Sequence, residues 1–195
     1  MDDIQTVKVY DSKIDEYVRL IDRPPEKSLI DFTGRICRSG FVLDLGCGPG
    51  KSAAFMRSRG LKVDAVDGSS KMVEMANSKY GLGARQLCFH EISGKNIYDG
   101  VWANFSLLHA KKENFPNYLA LIFRVLKTKG VLSIGMKLGA GEVRDNLGRL
   151  YAYYSRAELM NSLLHCGFVL EDEYSGEEKG LAGTTEPWIV VRVRK

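Results

Sequence analysis

Val42-Leu43-Asp44-Leu45-Gly46-Cys47-Gly48-Pro49-Gly50-Lys51-Ser52 is the stretch that decides how this chain is read. A short apolar run enters three glycines at alternate positions and leaves in a segment that can start a helix. Glycine has no Cβ and tolerates φ > 0, so such a turn lets backbone approach a ligand closely. The start of the following helix adds free N–H groups. Spacing then separates the ligand classes. A dinucleotide fingerprint, G-x-G-x-x-G, would end in glycine at position 51, where Lys51 stands. A P-loop would need glycine at 45 to accompany Gly50-Lys51-Ser52, and that position is Leu45. What remains is acidic-x-G-x-G-x-G, led by Asp44.

Outward from this loop the pattern alternates. Residues 41–45 read as a strand and 51–59 as a helix stopped by Gly60. A second strand is expected over 61–67, with Ser69 or Ser70 capping the next helix. Residues 84–89 form a weaker third strand and 98–105 a fourth. A helix follows Asn114, has Pro116 in its first turn and stops at Lys129-Gly130; a fifth strand is expected over 131–138. Apolar strands alternating with helices predict an α/β fold, mostly parallel and seven-stranded, with helices on both faces. Two helical patterns, 12–21 and 27–39, precede the alternation. Beyond it, 139–149 is polar and Gly-rich and 155–166 looks helical. Strands over 168–174 and 188–194 flank a charged loop at 175–186, the last strand being antiparallel.

The chain has 195 residues, 45% hydrophobic and 27% charged, which suits one domain with a proper core. No apolar run nears the roughly 18 residues that span a bilayer, and the start lacks the marks of a signal peptide. A cytoplasmic location and no membrane partner are expected. The net charge of +4 is mild, and the basic C-terminal residues alternate with valines as in a strand with one solvated face. Nucleic acid is therefore not the expected partner. The four cysteines show no C-x-x-C or zinc-ligand spacing, so no metal is expected.

Residues 42–50 resemble motif I of the class I (Rossmann-like) S-adenosylmethionine-dependent methyltransferases, and the resemblance extends in element order to about residue 138. It implies that Gly46, Cys47, Gly48 and Gly50 wrap the methionine and ribose part of S-adenosylmethionine, with Asp44 near its methionine end. It assigns the ribose hydroxyls to Asp67, with Gly68 and Ser69 beside it and Met72 near adenine. Read alone, Asp67 would be an ordinary helix cap. The rival acid, Asp64, lies mid-strand. Relatives place adenine contacts near Phe89 and His90, although Cys88 stands where an acid commonly precedes them. Asn104 and Phe105 fall where methyl and acceptor meet. Both prolines of the Asn-Pro-Pro-aromatic signature of base-amine methylation are missing there, and so is a Pro-Cys nucleophile. The 99–109 run also resembles a group of small bacterial methyltransferases.

Methyl transfer asks the protein for alignment and exclusion of water, and for a base only when the acceptor arrives protonated. His109 is the candidate base; its other reading is a histidine bonded to backbone. Tyr10 and Tyr17 lie on an N-terminal segment that lids the site in relatives. Lys137 and Arg149 could hold an anionic acceptor, whereas Arg144 reads as a solvated loop residue, and His165 and Trp188 read as structural. The expected division is a helical lid over 1–40, a cofactor core over 41–138 and a substrate side over 139–195. The expected function is methylation of a small-molecule acceptor, giving S-adenosylhomocysteine. A non-catalytic cofactor-binding sensor and an RNA or protein methyltransferase are the alternatives. The acceptor and the oligomeric state stay open.

Overall fold

A computed structural model describes residues 2–195. The chain begins with three helices, α1 (Ile4–Ser12), α2 (Ile14–Leu20) and α3 (Lys27–Arg35). It then alternates β1 (Phe41–Leu45), α4 (Lys51–Ser58), β2 (Lys62–Asp67), α5 (Ser70–Tyr80), β3 (Arg85–Gln86), β4 (Tyr98–Asn104), α6 (Phe115–Val125) and β5 (Leu126–Lys137). A small hairpin, β6 (Glu142–Arg144) and β7 (Leu150–Ala152), leads to α7 (Arg156–His165), β8 (Val169–Lys179) and β9 (Thr185–Arg194).

Seven strands form one sheet in the order β3-β2-β1-β4-β5-β9-β8. The pairs among β1 to β5 are parallel, and β9 is antiparallel to both of its neighbours. This is the α/β architecture expected from the alternation, Rossmann-like as the resemblance implied. Side chains of β4 alternate between two cores. Val101 and Ala103 face α6 and α7 with Leu119, Ile122, Leu159 and Leu163. Trp102 faces α3 and α4, where Phe32 and Met56 are fully buried. Because the strand order reverses between β1 and β4, a crevice opens beyond their C-terminal ends, where open parallel sheets bind ligands.

Several boundaries differ from expectation. The N-terminal helix expected over 12–21 is α2, and a second helix not expected, α1, precedes it and ends at Ser12. The third strand shrinks to two residues. The fifth starts earlier than 131, taking in Lys129 at φ +66, so α6 stops at Val125. The loop expected over 175–186 is mostly strand: β8 and β9 pair from Val169↔Arg194 to Lys179↔Thr185. Its charged residues made it read as loop, yet a strand with one solvated face carries such residues readily.

Candidate functional site

The loop after β1 is held by backbone geometry that only glycine supplies. Gly46 has φ +79, and a Cβ there would lie 2.4 Å from the Ser106 Cβ. Gly50 has φ +86, and its Cβ would meet Leu82 at 2.5 Å and Ala76 at 2.9 Å. Beneath the loop sit two buried carboxylates, Asp44 and Asp67. Asp67 accepts from the Gly48 N–H and the Ser69 N–H, both at 2.9 Å. Asp44 has one oxygen, Oδ2, with no partner among the described residues. Burial and the neighbouring Asp67 charge push Asp44 up to about 8, and burial also raises Asp67 against its two N–H donors. Burial drives the Cys47 thiol upward as well. Asn104 Oδ1 and Ser106 Oγ, at the end of β4, are likewise buried and unpartnered. Phe105 between them sits at φ +55, a strained position for an aromatic residue.

α1 and α2 lie across this crevice. Asp3 caps α1 by accepting from Thr6 N at 2.8 Å, and Arg144 grips the same carboxylate at 2.7 and 3.0 Å, holding it well below the usual range. The Thr6 hydroxyl accepts from Leu150 N at 2.8 Å. Three clefts meet under these helices, and Tyr17 and Phe105 line all three. The first, ≈ 830 Å³, runs along Asp44, Gly46, Cys47 and Gly48. The second, ≈ 420 Å³, holds Asp67, Ser69, Met72 and Ser106 under Tyr10. The third, ≈ 660 Å³, lies between α2 and the β8–β9 hairpin, with Lys137, Arg149 and Tyr151 on its floor.

Tyr10, His109 and Arg149 form one buried chain. Arg149 Nη1 donates to the Tyr10 hydroxyl at 3.0 Å, and that hydroxyl lies 2.9 Å from His109 Nε2. His109 Nδ1 is 2.6 Å from the Leu150 carbonyl, which can only accept, so Nδ1 carries the proton and Nε2 accepts from Tyr10. Burial, aided by the Arg149 charge, holds His109 down at about 3. Asp145 Oδ2 pairs with Arg149 at 2.7 and 2.9 Å. On the same floor Lys137 contacts Glu186, which also accepts from the Tyr153 hydroxyl. The Lys137 ammonium stands 4.6 Å from the Tyr151 ring centre.

Most of the residues singled out by sequence therefore come together: Asp44, Gly46, Cys47, Gly48, Asp67, Ser69, Met72, Asn104, Phe105, His109, Tyr10, Tyr17, Lys137 and Arg149 all line one of the clefts. Gly50 and Gly68 support the walls, the Gly68 carbonyl accepting from Gln86 at 2.9 Å. Phe89 and His90 stand apart. Phe89 is fully buried against Tyr118, its N–H bonded by Asp2 at 2.9 Å, and His90 is 65% exposed beside Asp2. Asp64 is tied to Arg85 and Tyr98, away from the loop. Ser106, Asp145 and Glu186 were missed, and Trp188, read as structural, is a wall of the third cleft. Asp145 stands four residues before Arg149, a spacing that could have drawn notice. Glu186 carries no local signal, because only the β5–β9 pairing brings it to Lys137.

Among known proteins, residues 42–130 match the methyltransferase domain family. Malonyl-[acyl-carrier protein] O-methyltransferase of Salmonella typhimurium is 28% identical over 127 residues, 63% of this chain and 48% of that protein. The chain thus spans about half the length of this curated relative. The 1,6-didemethyltoxoflavin-N1-methyltransferase of Burkholderia thailandensis, solved with 1,6-didemethyltoxoflavin and S-adenosylhomocysteine, is 25% identical with a TM-score of 0.71. The match covers 97% of this chain and 87% of that one. A SAM-dependent methyltransferase from Methanosarcina mazei shares the fold at 19% identity, TM-score 0.74, over 90% of this chain and 99% of that one.

Proposed function

We propose that the chain is a class I S-adenosylmethionine-dependent methyltransferase and that it methylates a small molecule held in the third cleft. The observation that carries this reading is the buried Asp44–Asp67 pair under the glycine loop, opening at Tyr17 and Phe105 onto a separate aromatic cleft. Two buried acids cost stability unless a positive or hydrogen-bonding ligand meets them. A ligand with an ammonium, a sulfonium and a ribose diol fits the unpartnered oxygens of Asp44, Asn104 and Ser106. Asp44 would face its methionine end, Asp67 its ribose hydroxyls, and Met72 its adenine. When bound, S-adenosylmethionine supplies an activated methyl group on sulfur and leaves as S-adenosylhomocysteine.

The protein's own work is alignment and exclusion of water. Of the lid expected over 1–40, α1 and α2 cover the clefts, whereas α3 packs Phe32 into the core beside Trp102; 41–138 hold the cofactor and 139–195 shape the acceptor side. Tyr10 and Tyr17 close the junction of the clefts, and Lys137 and Arg149 orient the acceptor. His109 was the candidate base. With both nitrogens engaged and a proton there disfavoured by burial, we assign it instead to fixing the Tyr10 hydroxyl at the junction. No helix among the described residues is long and apolar enough to cross a membrane, and all four cysteines are free, which supports the cytoplasm as the place of reaction.

Calorimetric titration with S-adenosylhomocysteine tests the reading. Wild type should bind, and Asp67→Ala should bind at least tenfold more weakly while melting as a folded protein. Equal affinity in the variant would remove Asp67 from the ribose site, and a folded wild type that binds nothing would sink the proposal.

A further inference from the structure

The third cleft is built from well-separated pieces of chain: α1 and α2, the end of β4 with the turn to His109, the end of β5 with β7, and the β8–β9 hairpin. Its walls are flat. Tyr17, Phe105, Tyr151 and Trp188 all line it, and Phe105 meets Trp188 edge to face, ring centres 6.1 Å apart at 85°. Aromatic faces arranged around a gap of this kind favour a flat guest that offers its own π-face.

The charges there are already matched. Arg23 pairs with Glu178, Lys137 with Glu186 and Arg149 with Asp145, while Lys179 stands exposed at the mouth. Away from Lys179 at the mouth, an ionised guest would have to displace one partner of the inner pairs, Lys137–Glu186 or Arg149–Asp145, and breaking such a pair leaves an uncompensated charge. A neutral guest meets no such cost. The Lys137–Glu186 pair still has capacity to spare. An ammonium carries three donor protons and a carboxylate about four acceptor sites, of which Lys137, Glu186 and Tyr153 use only some. A donor and an acceptor side by side complement a carbonyl next to an N–H. Trp188 adds a buried indole N–H with no acceptor among the described residues, which a second carbonyl would satisfy.

We infer that the acceptor is a flat, uncharged heteroaromatic molecule with an amide-like edge, its ring between the aromatic walls and that edge on the Lys137–Glu186 pair. The inference rests on the third cleft being the acceptor chamber. It gives Glu186 and Trp188 a part in acceptor selection.

Two probes separate the classes: lumichrome, which is flat and neutral with imide edges, and naphthoate, which is flat and anionic. Fluorescence titration of the protein saturated with S-adenosylhomocysteine should show lumichrome binding at least tenfold more tightly than naphthoate. The double variant Lys137→Met, Glu186→Leu removes the edge without leaving a lone buried charge, and should weaken lumichrome at least tenfold. Trp188→Phe keeps a wall and removes only the N–H, and should weaken it severalfold. Affinity for S-adenosylhomocysteine should be unchanged in both, which also reports that they are folded. Tighter binding of naphthoate, no binding of lumichrome, or unchanged lumichrome affinity in both variants would overturn the inference. If wild type binds no S-adenosylhomocysteine, the cofactor reading fails separately, and the same titrations on the free protein decide this one.

Discussion

Asp44 and Asp67 set the electrostatics of the site, and their titration makes the proposal measurable. Asp44 rises from an ordinary 3.8 to about 8 in the fold, so it holds a proton at pH 7 that the unfolded chain does not. With the folded value raised, the stability this proton gives is full below 3.8 and is lost as pH rises through 8, at most about 1.4 kcal/mol per unit between. A ligand that sets positive charge against Asp44 reverses the preference. S-adenosylmethionine binding at pH 7 should therefore release close to one proton, read from calorimetry in two buffers of different ionisation heat. Asp44→Asn should abolish most of that release; none from wild type would contradict the assignment. Read alone, Asp67 is an ordinary helix cap, and both acids were legible in the sequence through the resemblance that the glycine loop carries. Glu186 was not, since its place depends on a partner strand 49 residues away in sequence.

Among the elements, α1 is where sequence patterning was least informative. Its buried side is Thr6 and Tyr10, polar residues that bond Leu150 N, His109 and Arg149, so no apolar stripe announces it. The β1 turn was the opposite case. Gly46 and Gly50 occupy positions that a Cβ would block, and that steric demand writes itself into the sequence. The start of α1 is tied to the β6–β7 hairpin through Asp3 and Arg144, an exposed pair worth about 0.2–1 kcal/mol. Arg144→Ser should accordingly speed amide hydrogen exchange in residues 4–12 severalfold and leave β1, β4 and β5 as slow as before. Unchanged exchange in α1 would mean that Thr6 and Tyr10 alone hold it down.

At the scale of the whole molecule, apolar strand–helix alternation made a mostly parallel sheet legible to the end of β5, and the strand order is a finding of the structure. The C-terminal part was harder to read because β8 is an edge strand whose charged outer face resembles a loop. That hairpin nonetheless supplies Trp188 and Glu186 to one cleft, while α2 lines all three and α1 roofs the second and third. The shared roof has a kinetic consequence. A molecule in the second cleft lies under Tyr10 and Tyr17, and those same rings form a wall of the third. With the roof down and the third cleft filled, the way out past Tyr10 and Tyr17 is shut. Turnover should therefore follow a compulsory order, cofactor first to arrive and spent cofactor last to depart. Initial-rate measurements should show S-adenosylhomocysteine competing with S-adenosylmethionine and inhibiting noncompetitively towards the acceptor.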